Sequence, residues 1–292
     1  MKHRVKKLAK LLLKAIVTLG AIAYVASKID FAALGAILLS ADWLWLAAAF
    51  AAFNASKILS SVRLNRYFKA LNLRMDEKTN LTLYYIGMFY NLFLPGGISG
   101  DGYKIYLLHK RYQTGFKPLT QATLLDRVSG LAALLFLGAL LFVFSRFADL
   151  FAFLLPVALA GMVLVLPVTW WMTKKLFGQF LPVFRSTTWY AFGVQLLQLL
   201  SALFIVYALG VGEATLEYLT LFLVSSVVAV LPVSIGGIGL RELTFLYGFG
   251  LIGGDVNTAV SFSLLFFLIT LLSSLVGAFL KNPLVPSGDG DA

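Results

Sequence analysis

The sequence predicts an all-α polytopic membrane protein, with about six spanning helices and two re-entrant helical hairpins arranged as an inverted repeat. Three observations predict it. The first is apolarity: 60% of the residues are hydrophobic and the mean hydropathy is +0.89, where a soluble domain holds roughly 45–50% apolar residues. The second is punctuation, since long charge-poor runs alternate with short basic segments, the pattern of spans and loops. The third is repetition. The pattern Leu-Pro-x4-Gly-x-Gly-x-(Lys/Arg) occurs at 94–104 and again at 231–241, with every matched position offset by 137.

A spanning helix needs about 20 apolar residues to cross about 30 Å of hydrocarbon. Segments 9–27, 42–61, 121–145, 150–172, 188–209 and 258–280 meet that length. The basic stretch before the first, with Ala21-Ile22-Ala23 after it, resembles a signal peptide. The spans continue to the far end of the chain, so an uncleaved first helix is the simpler reading. Trp43, Trp45, Trp170, Trp171 and Trp189 fall at the ends of predicted spans, where interfacial anchors belong.

The two hairpins come from runs that are too short. Residues 81–94 and 218–231 carry no formal charge, yet each run has only 14 residues, or about 21 Å of helix. Each then meets Pro and Gly, which end or break a helix. Each resumes as a second apolar stretch, 98–108 or 238–252. Such broken backbone is tolerated in a bilayer only where it is buried in protein or lines a wet cavity. The hairpins are therefore expected at 81–108 and 218–254.

The net charge of +11 orients the chain. Basic residues gather in 62–80 (Arg63, Arg66, Lys69, Arg74, Lys78), 104–118 (Lys104, Lys110, Arg111, Lys117) and 173–187 (Lys174, Lys175, Arg185). The intervening segments are poor in them: 28–41 has Lys28, 146–149 has Arg146, and 210–217 has neither Lys nor Arg. The positive-inside rule places both termini and the basic segments in the cytoplasm of a cell inner membrane. It also requires hairpin 81–108 to return to the cytoplasmic side and hairpin 218–254 to return to the outer side. Residues 42–145 and 188–280 then form inverted halves of one domain, 1–281, ahead of a short disordered tail, 282–292. Basic loops set among spans suit anionic lipid headgroups rather than nucleic acid.

Ionisable groups at membrane depth are costly and usually face a bundle interior, a partner or water. Here they are Lys104, Arg241, Asp101, Glu242, Asp126 and Arg127. Each has an opposite charge nearby in sequence, and pairing of Asp126 with Lys104 or of Arg127 with Asp101 is plausible across the hairpin. Read functionally, the repeats form an anion site. Gly100, Gly102, Gly237 and Gly239 let backbone N–H groups approach a ligand. A half-helix N-terminus offers unpaired N–H groups. Lys104 or Arg241 then follows to hold a phosphate or carboxylate, and Ser99 and Ser234 add hydroxyl donors. Asn54, Lys57, Gln195 and Gln198 either line a polar path or bind helices together.

Cysteine is absent, which excludes thiolate metal sites and cysteine nucleophiles. There is no Gly-x-Ser-x-Gly, Walker A or His-Glu-x-x-His sequence. No cofactor, metal site or catalytic residue is therefore expected.

Three ordered motifs carry a family resemblance. They are Pro95 to Lys104, Asp126-Arg127-Val128-Ser129-Gly130-Leu131, and Pro232 through Gly236 to Glu242. Together they resemble the lysylphosphatidylglycerol synthase transmembrane-region family, also called flippase-like. In its bifunctional members this region moves aminoacylated phospholipid between leaflets, and a separate cytosolic domain makes that lipid. About a dozen residues follow Phe279, so the resemblance implies a stand-alone form without the synthase domain, and the lysyltransferase label is not carried over. The expectation is a lipid translocator working through a polar cavity between inverted halves, without ATP. Phospholipids are the expected partners, together with a separately encoded lipid-modifying enzyme. The alternative is a membrane enzyme or accessory subunit in phospholipid or lipid-linked glycan metabolism.

Overall fold

The structure is a computed structural model describing residues 19–20, 22–28, 30–93, 98–230 and 239–284. Most of the expected first span, the linkers 94–97 and 231–238 with Ser234 and Gly237, and residues 285–292 lie outside the described residues.

Among the described residues the chain forms helices and no strand. They are α1 (Phe31–Ser40), α2 (Trp43–Ala70), α3 (Glu77–Phe93), α4 (Ser99–Tyr112) and α5 (Phe116–Phe144). After a short turn at Arg146–Leu150 come α6 (Leu155–Leu176), α7 (Phe184–Ala208), α8 (Thr215–Val230), α9 (Leu240–Leu251) and α10 (Val256–Phe279). Helices α2, α5 and α10, with α6 and α7 extended by their leading 3-10 turns, are each long and apolar enough to cross a membrane. The chain is an all-α multi-pass membrane protein.

Several acids outside the bundle interior start helices. Asp30, Asp42, Asp76 and Asp255 each accept a backbone N–H from the first turn of α1, α2, α3 and α10. An aspartate at that position satisfies donors the helix itself leaves open. Helix α2 does not stop near residue 61 as its hydropathy suggests. Arg63, Arg66 and Lys69 are good helix formers, while Leu64, Tyr67 and Phe68 between them are buried. The helix therefore continues to Ala70.

Each short apolar run is broken into two packed helices. On α3 and α4, Asn91 meets Gly100, Gly87 meets both Gly100 and Lys104, and Tyr84 meets Lys104. Contacts that move backward along α3 as they move forward along α4 define an antiparallel pair. The crossing is tight: a Cβ on Gly100 would sit 2.0 Å from the Gly87 carbonyl oxygen. Helices α8 and α9 pair likewise, with Tyr218 on Phe249 and Leu221 on Gly248.

The repeat extends beyond the motif. Shifting α3 by 137 gives 214–230, against Thr215–Val230 for α8. The same shift takes α2 to 180–207, α4 to 236–249 and α5 to 253–281, against Phe184–Ala208, Leu240–Leu251 and Val256–Phe279. One order of long, short, short and long helix is thus written twice.

The chain divides into two compact units: Met1–Phe53 with Leu134–Leu164 and Leu197–Thr270, and Asn54–Ala133 with Val165–Leu196 and Leu271–Ala292. The first contains the α8–α9 pair. Its core stacks Phe53, Tyr218, Phe222, Phe245, Phe249, Phe262 and Phe266 edge to face or tilted, an arrangement worth more than area burial alone. The second contains the α3–α4 pair, over a core that includes Leu64, Phe68, Leu83, Leu108, Leu119 and Phe180. In that unit Asn282 donates to the Tyr103 hydroxyl and Leu284 lies against the core.

Candidate functional site

The second unit gathers five charges. Arg63 on α2 holds Asp126 on α5 through two hydrogen bonds, Nε to Oδ1 at 2.8 Å and Nη2 to Oδ2 at 3.2 Å. Both residues are buried, at 5% and 8% exposure. Such a bidentate pair is strong and geometrically specific. The guanidinium lies against Gly130, where an added Cβ would come within 3.3 Å of Nη1. Nη1 itself is buried and meets no acceptor among the described residues. The next residue on α5, Arg127, donates from Nε to Asp101 Oδ2 at 2.8 Å. The other oxygen of Asp101 lies 4.0 Å from Lys104 Nζ. Lys104 is 3% exposed and places its ammonium 5.0 Å from the centre of the Tyr84 ring.

Three cations and two carboxylates leave this cluster with one excess positive charge. Of the two pairings expected across the hairpin, the structure forms Arg127 with Asp101. Asp126 takes Arg63 instead of Lys104. Arg63 is the residue that sequence reading assigned to a basic loop. The signal was available in the interior acid Asp126, which needs a cation, but hydropathy ends the span before Arg63.

The glycines of the first motif divide in role. Gly100 is occupied by the fold: its N–H donates to Asn91 Oδ1 at 2.8 Å and its α-carbon faces Gly87. Gly102 is exposed, with open space where a Cβ would be. Ser99 is half-buried at the first position of α4. Asn54 accepts from the Tyr85 hydroxyl and donates to Ser273, and Gln195 donates to the Gly130 carbonyl. Both join helices, the use of amides that interhelical packing favours.

The first unit holds the second copy. Gly239 stands at the N-terminus of α9 with φ of +81°, a conformation that suits glycine. Its N–H donates to Glu242 Oε2 at 2.7 Å, and the Ser263 hydroxyl donates to Oε1 at 3.0 Å. Glu242 therefore caps its own helix and ties it to α10. Arg241 is partly buried, with its guanidinium 5.2 Å from the centre of the Phe266 ring. Among the described residues, no carboxylate lies within ion-pair distance of it. Ser263 occupies the repeat position of Asp126, offset by 137, and both reach toward the broken helix pair of their own unit or its neighbouring charges. Glu217, at the start of α8, is buried and accepts from the Arg146 backbone N–H at 3.3 Å.

The family model described as lysylphosphatidylglycerol synthase TM region matches residues 11–277. The chain belongs to that family. No curated protein matches it. The match takes in both helix pairs and all the charges described above. Among the described residues of this family member no group of His, Cys, Asp and Glu is arranged to hold a metal ion.

Proposed function

We propose that the protein translocates an anionic or aminoacylated phospholipid between membrane leaflets. The observation that carries this reading is the set of interior charges on a broken helix pair, with Lys104 buried and its nearest carboxylate 4.0 Å away. Charges placed in an apolar bundle usually mark a substrate or ion route. Broken helices at corresponding positions of two repeats are the sequence pointer to a transport site.

In this reading α3–α4 and α8–α9 are re-entrant hairpins, entering from the cytoplasmic and the outer side of an inner membrane. The repeats are inverted parts of one domain, 1–281. The antiparallel packing of each pair supports it, since the second helix returns toward the side from which the first came. Lys104 and Arg241 hold the lipid phosphate, each in its own repeat, and Gly102 keeps the approach to the first site open. Arg127 and Asp101 shape that site, while Arg63 and Asp126 hold α2 to α5 behind it. The headgroup follows the polar interior while the acyl chains stay in lipid. No Walker A motif is present in the sequence, and in this reading the movement is downhill or ion-coupled.

Reconstitution into liposomes carrying leaflet-labelled phospholipid tests this. Exchange of label faster than in protein-free liposomes is expected for at least one phospholipid headgroup. No acceleration for any headgroup contradicts the reading.

A further inference from the structure

We infer that Asp101 is a built-in stand-in for the ligand: its carboxylate occupies the place of a phosphodiester anion between Lys104 and Arg127, and the ligand binds by displacing it. This rests on the reading of the cluster as a headgroup site, and it adds how that site is kept closed when empty.

The geometry points to displacement rather than a permanent lock. The two ends of the Asp101 carboxylate are held unequally. Oδ2 accepts from both Nε and Nη2 of Arg127, at 2.8 and 2.5 Å, whereas Oδ1 stands 4.0 Å from Lys104 Nζ. A carboxylate has two oxygens and spans the gap poorly. A phosphodiester has two free oxygens on a larger tetrahedral centre and reaches both cations. The neighbouring Arg63–Asp126 pair differs in that both carboxylate oxygens are engaged by one guanidinium and the pair is almost sealed, with side-chain exposures of 6% and 12%. The Arg127 side chain is 40% exposed and that of Asp101 16%. A pair left this open, with one carboxylate oxygen outside hydrogen-bond reach of Lys104, is exchanged for a ligand anion more readily than a sealed bidentate one.

The surroundings allow the exchange. Asp101 lies in the first turn of α4, and the next residue is the exposed Gly102 with open space at its α-carbon. The displaced carboxylate therefore has an open side toward which to turn. Lys104 is fixed more firmly, buried among Tyr84 and the Gly87 backbone. With Asp101 gone from between them, Lys104 and Arg127 present two positive charges to one ligand. The ligand chemistry is a singly charged phosphodiester or phosphate, which could come from a lipid headgroup or from free phosphate.

Binding of acyl-chain-labelled phosphatidylglycerol to the full-length protein in detergent measures this, with glycerophosphoglycerol and inorganic phosphate as competitors. Asp101→Asn is expected to tighten binding about 3- to 10-fold, and adding Lys104→Ala is expected to abolish that gain. Asp101→Ser is expected to behave as Asp101→Asn does. If only the soluble competitors gain affinity, the displacement holds and free phosphate is its source. Unchanged or weaker binding of lipid and competitors alike by the monodisperse variants overturns the inference. Failure of both variants to fold also overturns it, because a ligand cannot displace a carboxylate the fold cannot lose. The translocation reading fails separately, through wild-type protein that binds lipid and never moves it.

Discussion

At the scale of residues, Arg63 and Asp126 make the sharpest claim. Each is buried, and each is the other's charge partner. Removing one partner of a buried pair leaves an uncompensated charge and costs about 3–5 kcal/mol, whereas replacing both with apolar groups is far milder. Asp126→Ala is therefore expected to lower the thermal stability of the purified protein steeply. The double variant Arg63→Met with Asp126→Leu is expected to recover most of the loss. Equal melting for Asp126→Ala and the wild type would show that the pair is not buried as described. Sequence alone exposes Asp126 as an interior acid, and it exposes the Asp101–Arg127 pairing as an option. It does not reveal Arg63, because a partner on another helix depends on packing and not on local spacing. The same holds for Gly87 and Asn91, whose roles against Gly100 arise only when α3 and α4 come together.

At the scale of elements, helix starts are set by short polar side chains. Asp76 accepts the Thr79 N–H and so opens α3, the first helix of the charged pair. That hydrogen bond to the backbone, and a further one from the Thr79 side chain, hold its carboxyl below the ordinary value of 3.8. A carboxyl lowered by folding contributes stability that is complete above its unfolded value and is lost as pH falls through the folded one. Hydrogen exchange at the first turn of α3 is thus expected to quicken below about pH 4. Asp76→Ala is expected to quicken it at neutral pH, for a cap worth roughly 0.5–1 kcal/mol at an exposed site. Exchange indifferent to both would contradict the capping role. The ends of the elements were the least legible part of the chain. Hydropathy stops α2 at the first arginine, although an arginine continues a helix as readily as a leucine.

At the scale of the whole molecule, the repeat was legible in advance. A textual offset of 137 at Leu94 and Leu231 reappears in the bounds of four helices on each side. Composition and the spacing of basic segments foretold the multi-pass membrane class. The depth of the hairpins was not legible, because a kinked span and a re-entrant pair share one sequence pattern. Topology follows from accessibility, and the chain lacks native cysteine. Single cysteines at Lys117 and Glu213 are expected to react with a membrane-impermeant thiol reagent from opposite faces, Lys117→Cys from the cytoplasmic one. Reaction of both from the same face would exclude the inverted arrangement.

The central claim is that one cation in each repeat holds the phosphate of a moving lipid. The rate of leaflet exchange in proteoliposomes, compared between wild type and Lys104→Ala with Arg241→Ala, tests it most directly. The account predicts a loss of at least about tenfold in the folded double variant, corresponding to roughly 1.4 kcal/mol on the barrier. Exchange by the double variant at the wild-type rate would contradict it.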